Sequence, residues 1–422
     1  VTDTSIANLT AHLEASAAGG VRSTTPVINP FTGKRIYELP QLEADQVEVA
    51  AQLLRSSQPA WAALAPGRRA AILLAVFDQL LANQDKLMDV LQLETGKSHA
   101  HAFEEVSGAI QAALYYGKRA AKILARERTK PGVPILTKTW VERVPLGVVG
   151  VITPWNYPLA LTALDVFPAL AAGNAVLQKV DNQTVLSVLL LREYAIAAGL
   201  PGEVWTVVAG DGATVGNAVT DSCDYVAFTG STATGRRVYE RAASNFIGAS
   251  LELGGKNPLI VLPGANLKQA ARIAVAGAVG NTGQLCVSIE RLYVPEETRE
   301  AFTLALTSEV ERLVLGRDAK FATDLGSLAS AYQLKRVTSM LADAVAKGAK
   351  VFGGVPKPEV GPYFITPAIV TEVPETANLN RSEVFGPVIA IEGYDEIDDA
   401  IAKANDTEFG LISYVFSGEL GR

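Results

Sequence analysis

Val148-Val149-Gly150-Val151-Ile152-Thr153-Pro154-Trp155-Asn156-Tyr157-Pro158 reads as an apolar strand that runs into a loop held between two prolines. From Gly147 onward, short apolar runs alternate with helical ones. The strands are Val148 to Ile152, Ala175 to Gln178, Val204 to Val208, Tyr225 to Phe228 and Ser250 to Leu253. That alternation predicts a parallel, doubly wound α/β sheet. A second series follows the Gly254-Gly255 junction, with strands near Leu259 to Leu262, Leu292 to Val294, Ile365 to Val370 and Val388 to Glu392. A chain of 422 residues exceeds one ordinary core, so two such α/β domains are expected.

Upstream of the first strand, residues 4 to 126 read mostly as helix, with apolar positions at helical spacing through Ile72, Leu73, Val76, Leu80 and Leu81. Two decoys lie here. Gly96-Lys97-Ser98 resembles the end of a phosphate-binding loop, but Leu91 stands where its leading glycine would be. His99 and His101 point to different sides of a helix and lack nearby ligands, so no metal site is expected. After Pro131-Gly132-Val133-Pro134, the run Ile135 to Val144 reads as a strand with two mixed faces. It is either an ordinary edge strand or a projecting ribbon that pairs with another subunit. At the far end, Leu411 to Phe416 reads as a strand and Ser417-Gly418-Glu419 as the beginning of a helix. Domains rarely stop at a helix N-terminus, so a C-terminal continuation is expected.

Bulk properties narrow the function classes. A net charge of −7, without long like-charge runs, argues against nucleic acid or an anionic membrane surface as partner. The most apolar region, Val144 to Leu177, is broken by prolines, asparagines and Asp165, so no membrane span is expected. Two cysteines make no disulfide framework, and Val1-Thr2-Asp3-Thr4 begins no secretory signal, which together read as a cytoplasmic chain.

One cysteine stands in a setting suited to chemistry. Asn281-Thr282-Gly283-Gln284-Leu285-Cys286 forms a tight turn between a helical run and a strand, where backbone can present a thiol to a ligand. A buried structural cysteine is the alternative, and it is the reading for Cys223. Three further stretches supply partners for a nucleophile. Glu252 ends an apolar strand beside two glycines and suits a general base, with an ion pair to Lys256 or a neighbour as its alternative. The prolines flanking Asn156 hold its amide as an oxyanion donor, which a backbone N–H at the nucleophile would complement; the alternative is a turn-forming Asn. Phe228-Thr229-Gly230-Ser231 and Gly210-Asp211-Gly212 with Gly216 are glycine-bearing strand-to-helix turns, and together they suggest a dinucleotide. All three histidines lie in the first quarter of the chain, which disfavours hydrolysis through a His base.

With these stretches assembled, the chain resembles the aldehyde dehydrogenase superfamily from about Pro26 onward. The motifs are Pro154-Trp155-Asn156-Tyr157-Pro158, Phe228-Thr229-Gly230-Ser231, Glu252-Leu253-Gly254-Gly255-Lys256, Gly283-Gln284-Leu285-Cys286 and Glu383-Val384-Phe385-Gly386-Pro387. The resemblance implies Cys286 as nucleophile, Asn156 with the Cys286 N–H as oxyanion hole, and Glu252 as the base that activates the deacylating water. It implies a cofactor contacted by Thr153, Pro154, Trp155, Lys179, Asn182, Gly212, Gly216, Phe228, Thr229, Gly230, Ser231, Leu253, Glu383 and Phe385. Within the family the sequence is most similar to succinate-semialdehyde dehydrogenases. The implied reaction is NAD(P)-dependent oxidation of an aldehyde to a carboxylic acid.

Departures from the family pattern shape the details. Val180 replaces the proline that usually follows the lysine, and Asn182 stands where NAD-preferring members carry a glutamate. Losing that carboxylate admits a 2′-phosphate, so NADP is expected to be preferred, with measurable use of NAD. Leu164 and Gly280 stand where well-known members place arginines near a substrate carboxylate, which leaves other aliphatic or aromatic aldehydes as alternative substrates. Glu252 argues against an acylating relative that passes the thioester to coenzyme A, and the intact Cys286, Asn156 and Glu252 argue against a silent structural relative. The expected organisation is a dinucleotide-binding domain (1–126 and 146–253), an oligomerisation ribbon (127–145) whose partner strand lies beyond the given chain, and a catalytic domain (254–422). A homodimer or homotetramer is implied.

Overall fold

Helix Asp3–Ser16 opens the chain in the computed structural model, which describes residues 3–418. A two-stranded sheet follows, β1 (Ser23–Ile28) and β2 (Arg35–Gln41). The reading of the N-terminal quarter as mostly helix holds, but it did not foresee this pair. In β2, Tyr37 and Leu39 are buried while Glu38 between them is exposed, a period of two that is too short to stand out among long helices. Helices Ala44–Ala62, Pro66–Ala82, Gln84–Thr95 and His99–Ile123 make up most of the remainder, as their 3.6-residue patterning predicts.

Two units divide the chain. The first comprises residues 1–27, 35–91 and 103–252, and the second residues 28–34, 92–102 and 253–422. Segments 28–34 and 92–102, which the linear reading placed with the first domain, thus group with the second.

In the first unit, β3 (Glu127–Thr129) and β4 (Thr139–Val141) form an antiparallel ribbon with Arg128 opposite Trp140. The expected strand over Ile135 to Val144 is therefore much shorter. Ile135 adopts φ 73° and Val133 O accepts from Thr137 N at 3.1 Å, so a local turn consumes the first half of the run. The main sheet is β5 (Val148–Thr153), β6 (Ala175–Val180), β7 (Trp205–Val208), β8 (Tyr225–Thr229) and β9 (Gly248–Glu252). Its order is β7-β6-β5-β8-β9 and every pairing is parallel. β5 and β6 are buried at every position, which explains their unbroken apolar character. Strand order reverses at β5, and such a switch point opens a crevice at the strand C-terminal ends. The loops after β5, β6, β7 and β8 all leave from that end.

The second unit is built on β10 (Asn257–Val261), β11 (Ile289–Pro295), β12 (Lys350–Gly353), β13 (Ala368–Thr371), β14 (Val388–Tyr394) and β15 (Tyr414–Phe416). The order is β12-β13-β14-β11-β10-β15, parallel except for the edge strand β12. Helices Leu267–Val279 and Arg299–Glu311 supply Ala271, Ala274, Ala278, Phe302 and Leu306 to a core shared with Leu259, Leu292 and Ile389. Three strand readings need correction. β13 starts at Ala368 rather than Ile365, since Pro367 has no N–H to give a ladder and Ile365 instead makes an isolated bridge to Pro356. β15 keeps only the last half of the run from Leu411, and β12 went unforeseen. The helix start expected at Ser417-Gly418-Glu419 reaches outside the described residues. No single helix among the described residues is long and apolar enough to cross a membrane.

Candidate active site

In the first unit, the loop after β5 is tied down from beneath. Thr153 and Asn156 are buried, and Gln178 donates from Nε2 to Thr153 Oγ1 at 3.1 Å and to Thr162 Oγ1 at 2.6 Å. Trp205 Nε1 donates to Gln178 Oε1 at 3.0 Å, so that amide has no freedom to turn. The following helix, Pro158–Ala171, begins with Pro at N1, and the buried Glu105 accepts from the N–H of Leu159 at 2.7 Å. A carboxylate there satisfies an orphan donor and complements the helix dipole. Asn156 therefore sits between a fixed strand end and a fixed helix start, while Pro154 and Trp155 are half-buried.

Glu252 is exposed at the end of β9, opposite Thr229, and its carbonyl accepts from Gly230 N at 3.0 Å. Helix Pro158–Ala171 also carries Asp165. Burial, and next the charge of Glu252, push that carboxyl up to about 6. Leu164 beside it is exposed.

The nucleotide-type turns of this unit are open. Gly212 begins helix Gly212–Ser222 and Gly216 lies within it, and a Cβ at either would meet nothing within 4 Å. Ser231 caps helix Thr232–Ser244 by accepting from Thr234 N, so its hydroxyl is engaged while first-turn N–H groups remain available to an anion. Phe228 and Thr229 are buried at the end of β8, and Gly230 is required because a Cβ there would sit 2.7 Å from the Phe228 ring. Lys179 is buried at the end of β6; desolvation lowers its pKa, against the charges of Asp181 and Asp211. A buried cation beside open helix N-termini fits the phosphate groups of a dinucleotide. Asn182 is occupied within the protein. It donates to Gln41 Oε1 and accepts from Gly210 N, both at 3.0 Å, and so pins the glycine turn after β7.

In the second unit, Cys286 is half-buried on the loop that leads into β11. The preceding turn is contorted: Asn281 and Thr282 hold φ 50° and 57°, and Gly283 φ 72°. Left-handed backbone at two non-glycine residues persists only where surroundings over-determine it. The surroundings do so here. Gln284 donates to Asn281 O at 3.1 Å and accepts from Ala329 N at 2.9 Å, and Thr282 Oγ1 donates to Gly326 O at 3.3 Å. A Cβ on Gly283 would sit 2.2 Å from the Gly386 carbonyl. Downstream, Asn257 Nδ2 donates to the carbonyls of Cys286 and Ser288 at 2.7 and 2.8 Å.

Glu383 and Phe385 lie in the same unit. Gly255 N donates to Glu383 Oε1 at 3.0 Å, and Arg336 donates to the Glu383 carbonyl at 2.6 Å. Burial pushes the Glu383 carboxyl up to about 7, against the Gly255 hydrogen bond. Phe385 is held at φ 57°. Leu253 is half-buried ahead of Gly254.

Several supporting residues escaped the sequence reading, namely Glu105, Asn257, Glu290 and Arg336. Glu290 carried a signal, being a charged residue inside an apolar strand. Lys256 pairs with Glu290 at 2.5 Å, a partner that the sequence reading did not name. Both decoys are engaged within the protein. Lys97 and Ser98 are buried, while the half-buried His99 and His101 bond Gln92 and Ser98, and desolvation pulls the His101 pKa down to about 4. Burial likewise pushes the Cys223 thiol upward. Among the described residues no group of three or more His, Cys, Asp or Glu is placed to hold a metal ion.

The chain is 44% identical over 398 residues to a Mycobacterium tuberculosis protein that carries the provisional name succinate-semialdehyde dehydrogenase [NADP(+)] 2, covering 94% of this chain and 77% of that one. It is 36% identical to the Escherichia coli succinate-semialdehyde dehydrogenase [NADP(+)] GabD, covering 94% and 82% respectively. The crystal structure of succinate-semialdehyde dehydrogenase from Burkholderia pseudomallei superposes with a TM-score of 0.91 at 34% identity, over 94% of this chain and 83% of that one. The aldehyde dehydrogenase family model matches residues 17–422, and the chain belongs to that family.

Proposed function

We propose that the protein oxidises succinate semialdehyde to succinate, with NADP preferred and NAD accepted. The observation that carries this reading is the clamped thiol turn at Cys286, in a chain whose relatives are named for that substrate and cofactor. Cys286 adds as thiolate to the aldehyde carbon, and the alkoxide that develops is held by the Asn156 amide and the Cys286 N–H. The bound nicotinamide supplies a hydride acceptor. Loss of hydride from the cysteine-bound adduct leaves a thioester on Cys286. Glu252 takes a proton from water, the hydroxide adds to the thioester carbonyl, and the thiolate leaves with release of the acid.

Cofactor contacts are assigned as follows. Lys179 receives the adenosine ribose and its 2′-phosphate, with Asn182 holding the adjoining turn uncharged. The first turns at Gly212, Gly216 and Ser231 receive the pyrophosphate. Thr153, Pro154, Trp155, Phe228, Thr229, Gly230 and Leu253 line the cofactor, and Glu383 with Phe385 orients the nicotinamide riboside. The first unit is the dinucleotide-binding domain and the second the catalytic domain. The ribbon β3–β4 pairs subunits in a homodimer or homotetramer, supported by the exposure of Trp140, Val141, Val144 and Leu146. A reducing cytoplasm suits the thiol.

The test is NADPH and NADH formation over succinate semialdehyde and neutral aldehydes of similar length, with Cys286→Ala as control. Highest kcat/KM for succinate semialdehyde with NADP, abolished in the control, is the expected outcome. Preference for a neutral aldehyde overturns the substrate, and turnover in the control overturns the nucleophile.

A further inference from the structure

Within the second unit a buried ion pair is tied to both loops that the proposed chemistry needs, directly to one and through a neighbouring residue to the other. Lys256 is 1% exposed and Glu290 4%, and their side chains meet at 2.5 Å. Glu290 also accepts from the N–H of Val384 at 2.9 Å and of Phe385 at 3.1 Å. It thus fixes the backbone on which Glu383 and the left-handed Phe385 stand. The other end of the pair leads to the thiol. Asn257, next to Lys256, grips the Cys286 carbonyl, while Gly255, on its other side, donates to the Glu383 carboxylate. Arg291 adds two bonds to the Lys256 carbonyl, at 2.9 and 2.6 Å, and the β10–β11 register sets Asn257 opposite Ile289.

A buried ion pair is a poor stabiliser, because desolvation offsets most of its attraction, and an apolar pair of similar volume usually serves the fold as well. Here the pair does something an apolar pair cannot: Glu290 spends its remaining acceptor capacity on loop N–H groups. We propose that Lys256 and Glu290 are positioning residues that set the separation between Cys286 and the Glu383–Phe385 segment, and hence the distance that hydride must travel from the cysteine-bound adduct. The assignment rests on the nucleophile reading above. Lys256 and Glu290 touch no reacting atom; they act through Asn257, Val384 and Phe385.

Two variants separate positioning from folding. Glu290→Gln leaves the Lys256 cation buried without a counter-charge and carries a risk of unfolding, so Lys256→Met/Glu290→Met is made beside it. In the full chain, two rates are compared. One is NADPH formation from an aldehyde deuterated at the carbonyl carbon and from its protium form. The other is release of p-nitrophenolate from p-nitrophenyl acetate, which needs the thiol but no cofactor. In the double-Met variant, with wild-type circular dichroism, hydride transfer is expected to slow by about 100-fold relative to ester cleavage. The deuterium isotope effect on kcat should rise as that step becomes limiting. Equal changes in the two rates, or a wild-type isotope effect in the folded variant, overturn the positioning role. Wild-type protein that neither forms NADPH nor cleaves the ester overturns the nucleophile reading and this proposal with it, before any variant is measured.

Discussion

The Cys286 turn of the second unit and the first helical turns at Gly212 and Ser231 in the first are built on opposite plans. In the second unit the Cys286 turn and the Glu383–Phe385 segment are held by side chains from well-separated parts of the sequence, with left-handed backbone and glycines that admit no Cβ. In the first unit the turns at Gly212 and Ser231 are exposed, with open space above Gly212. Bond-making at carbon needs atoms placed to a fraction of an ångström, whereas a phosphate can be held by any several N–H groups that converge on it. Rigidity is concentrated where covalent chemistry is proposed.

The largest test of that contrast is Asn156→Ala. Asn156 belongs to the first unit but is buried and fixed like the second unit's loops, so its loss should cost about 2.7–4 kcal/mol of transition-state stabilisation. Single-turnover hydride transfer would check this, and near-wild-type rates would remove Asn156 from the oxyanion role. Next comes Gly283→Ala, whose Cβ meets the Gly386 backbone at positive φ. A stability loss of about 1–3 kcal/mol is expected from urea unfolding, and a silent substitution would show that the turn is not over-determined.

Glu383 gives a smaller and graded effect. If its ionised form holds the ribose hydroxyls, cofactor binding requires loss of the proton that burial retains up to about pH 7. NADP affinity should then fall by up to about tenfold per pH unit below that value and level off above it. The linked stability runs the other way: the folded carboxyl binds its proton more tightly than an ordinary glutamate, whose pKa is 4.5, so this group costs the fold stability as pH rises from 4.5 to about 7. A flat titration of NADP binding between pH 5.5 and 7 would separate Glu383 from the cofactor. Smallest is Gly212→Ala, which meets open space at a first helical turn. Stability should rise by roughly 0.4–1 kcal/mol while NADP binding weakens. Lost stability would mean that the open turn is as constrained as the clamped one.

Much of this was readable in the sequence. Alternation of apolar strands with helices predicted both sheets, because a parallel sheet covered on both faces needs continuous apolar strands, as in β5 and β6. Candidate residues were legible where local chemistry marks them: Asn156 between prolines, Ser231 after a strand, Cys286 after a glycine turn. What escaped was long-range. Glu105 beneath the Asn156 loop, and Glu290 beneath Val384, are ordinary glutamates until folding brings an orphan N–H to each. Short β2 was lost among helices. Asn182 was read by its lack of charge, whereas its tie to Gln41 and Gly210 depends on where β2 lies.

The clamp also bears on the order of events during synthesis. Gly255 and Glu383 are 128 residues apart, and Glu290 waits on N–H groups 94 and 95 residues further along. Contacts of such separation form late, since a long loop must close before any of them is rewarded. A ribosome that has just released Cys286 therefore presents its turn with only the nearby ties, from Asn257 and Gln284, and without the later ones at Gly326 and Ala329. The ties from Gly255 and Glu290 to the Glu383–Phe385 segment close only once that segment emerges, so these two loops are joined last.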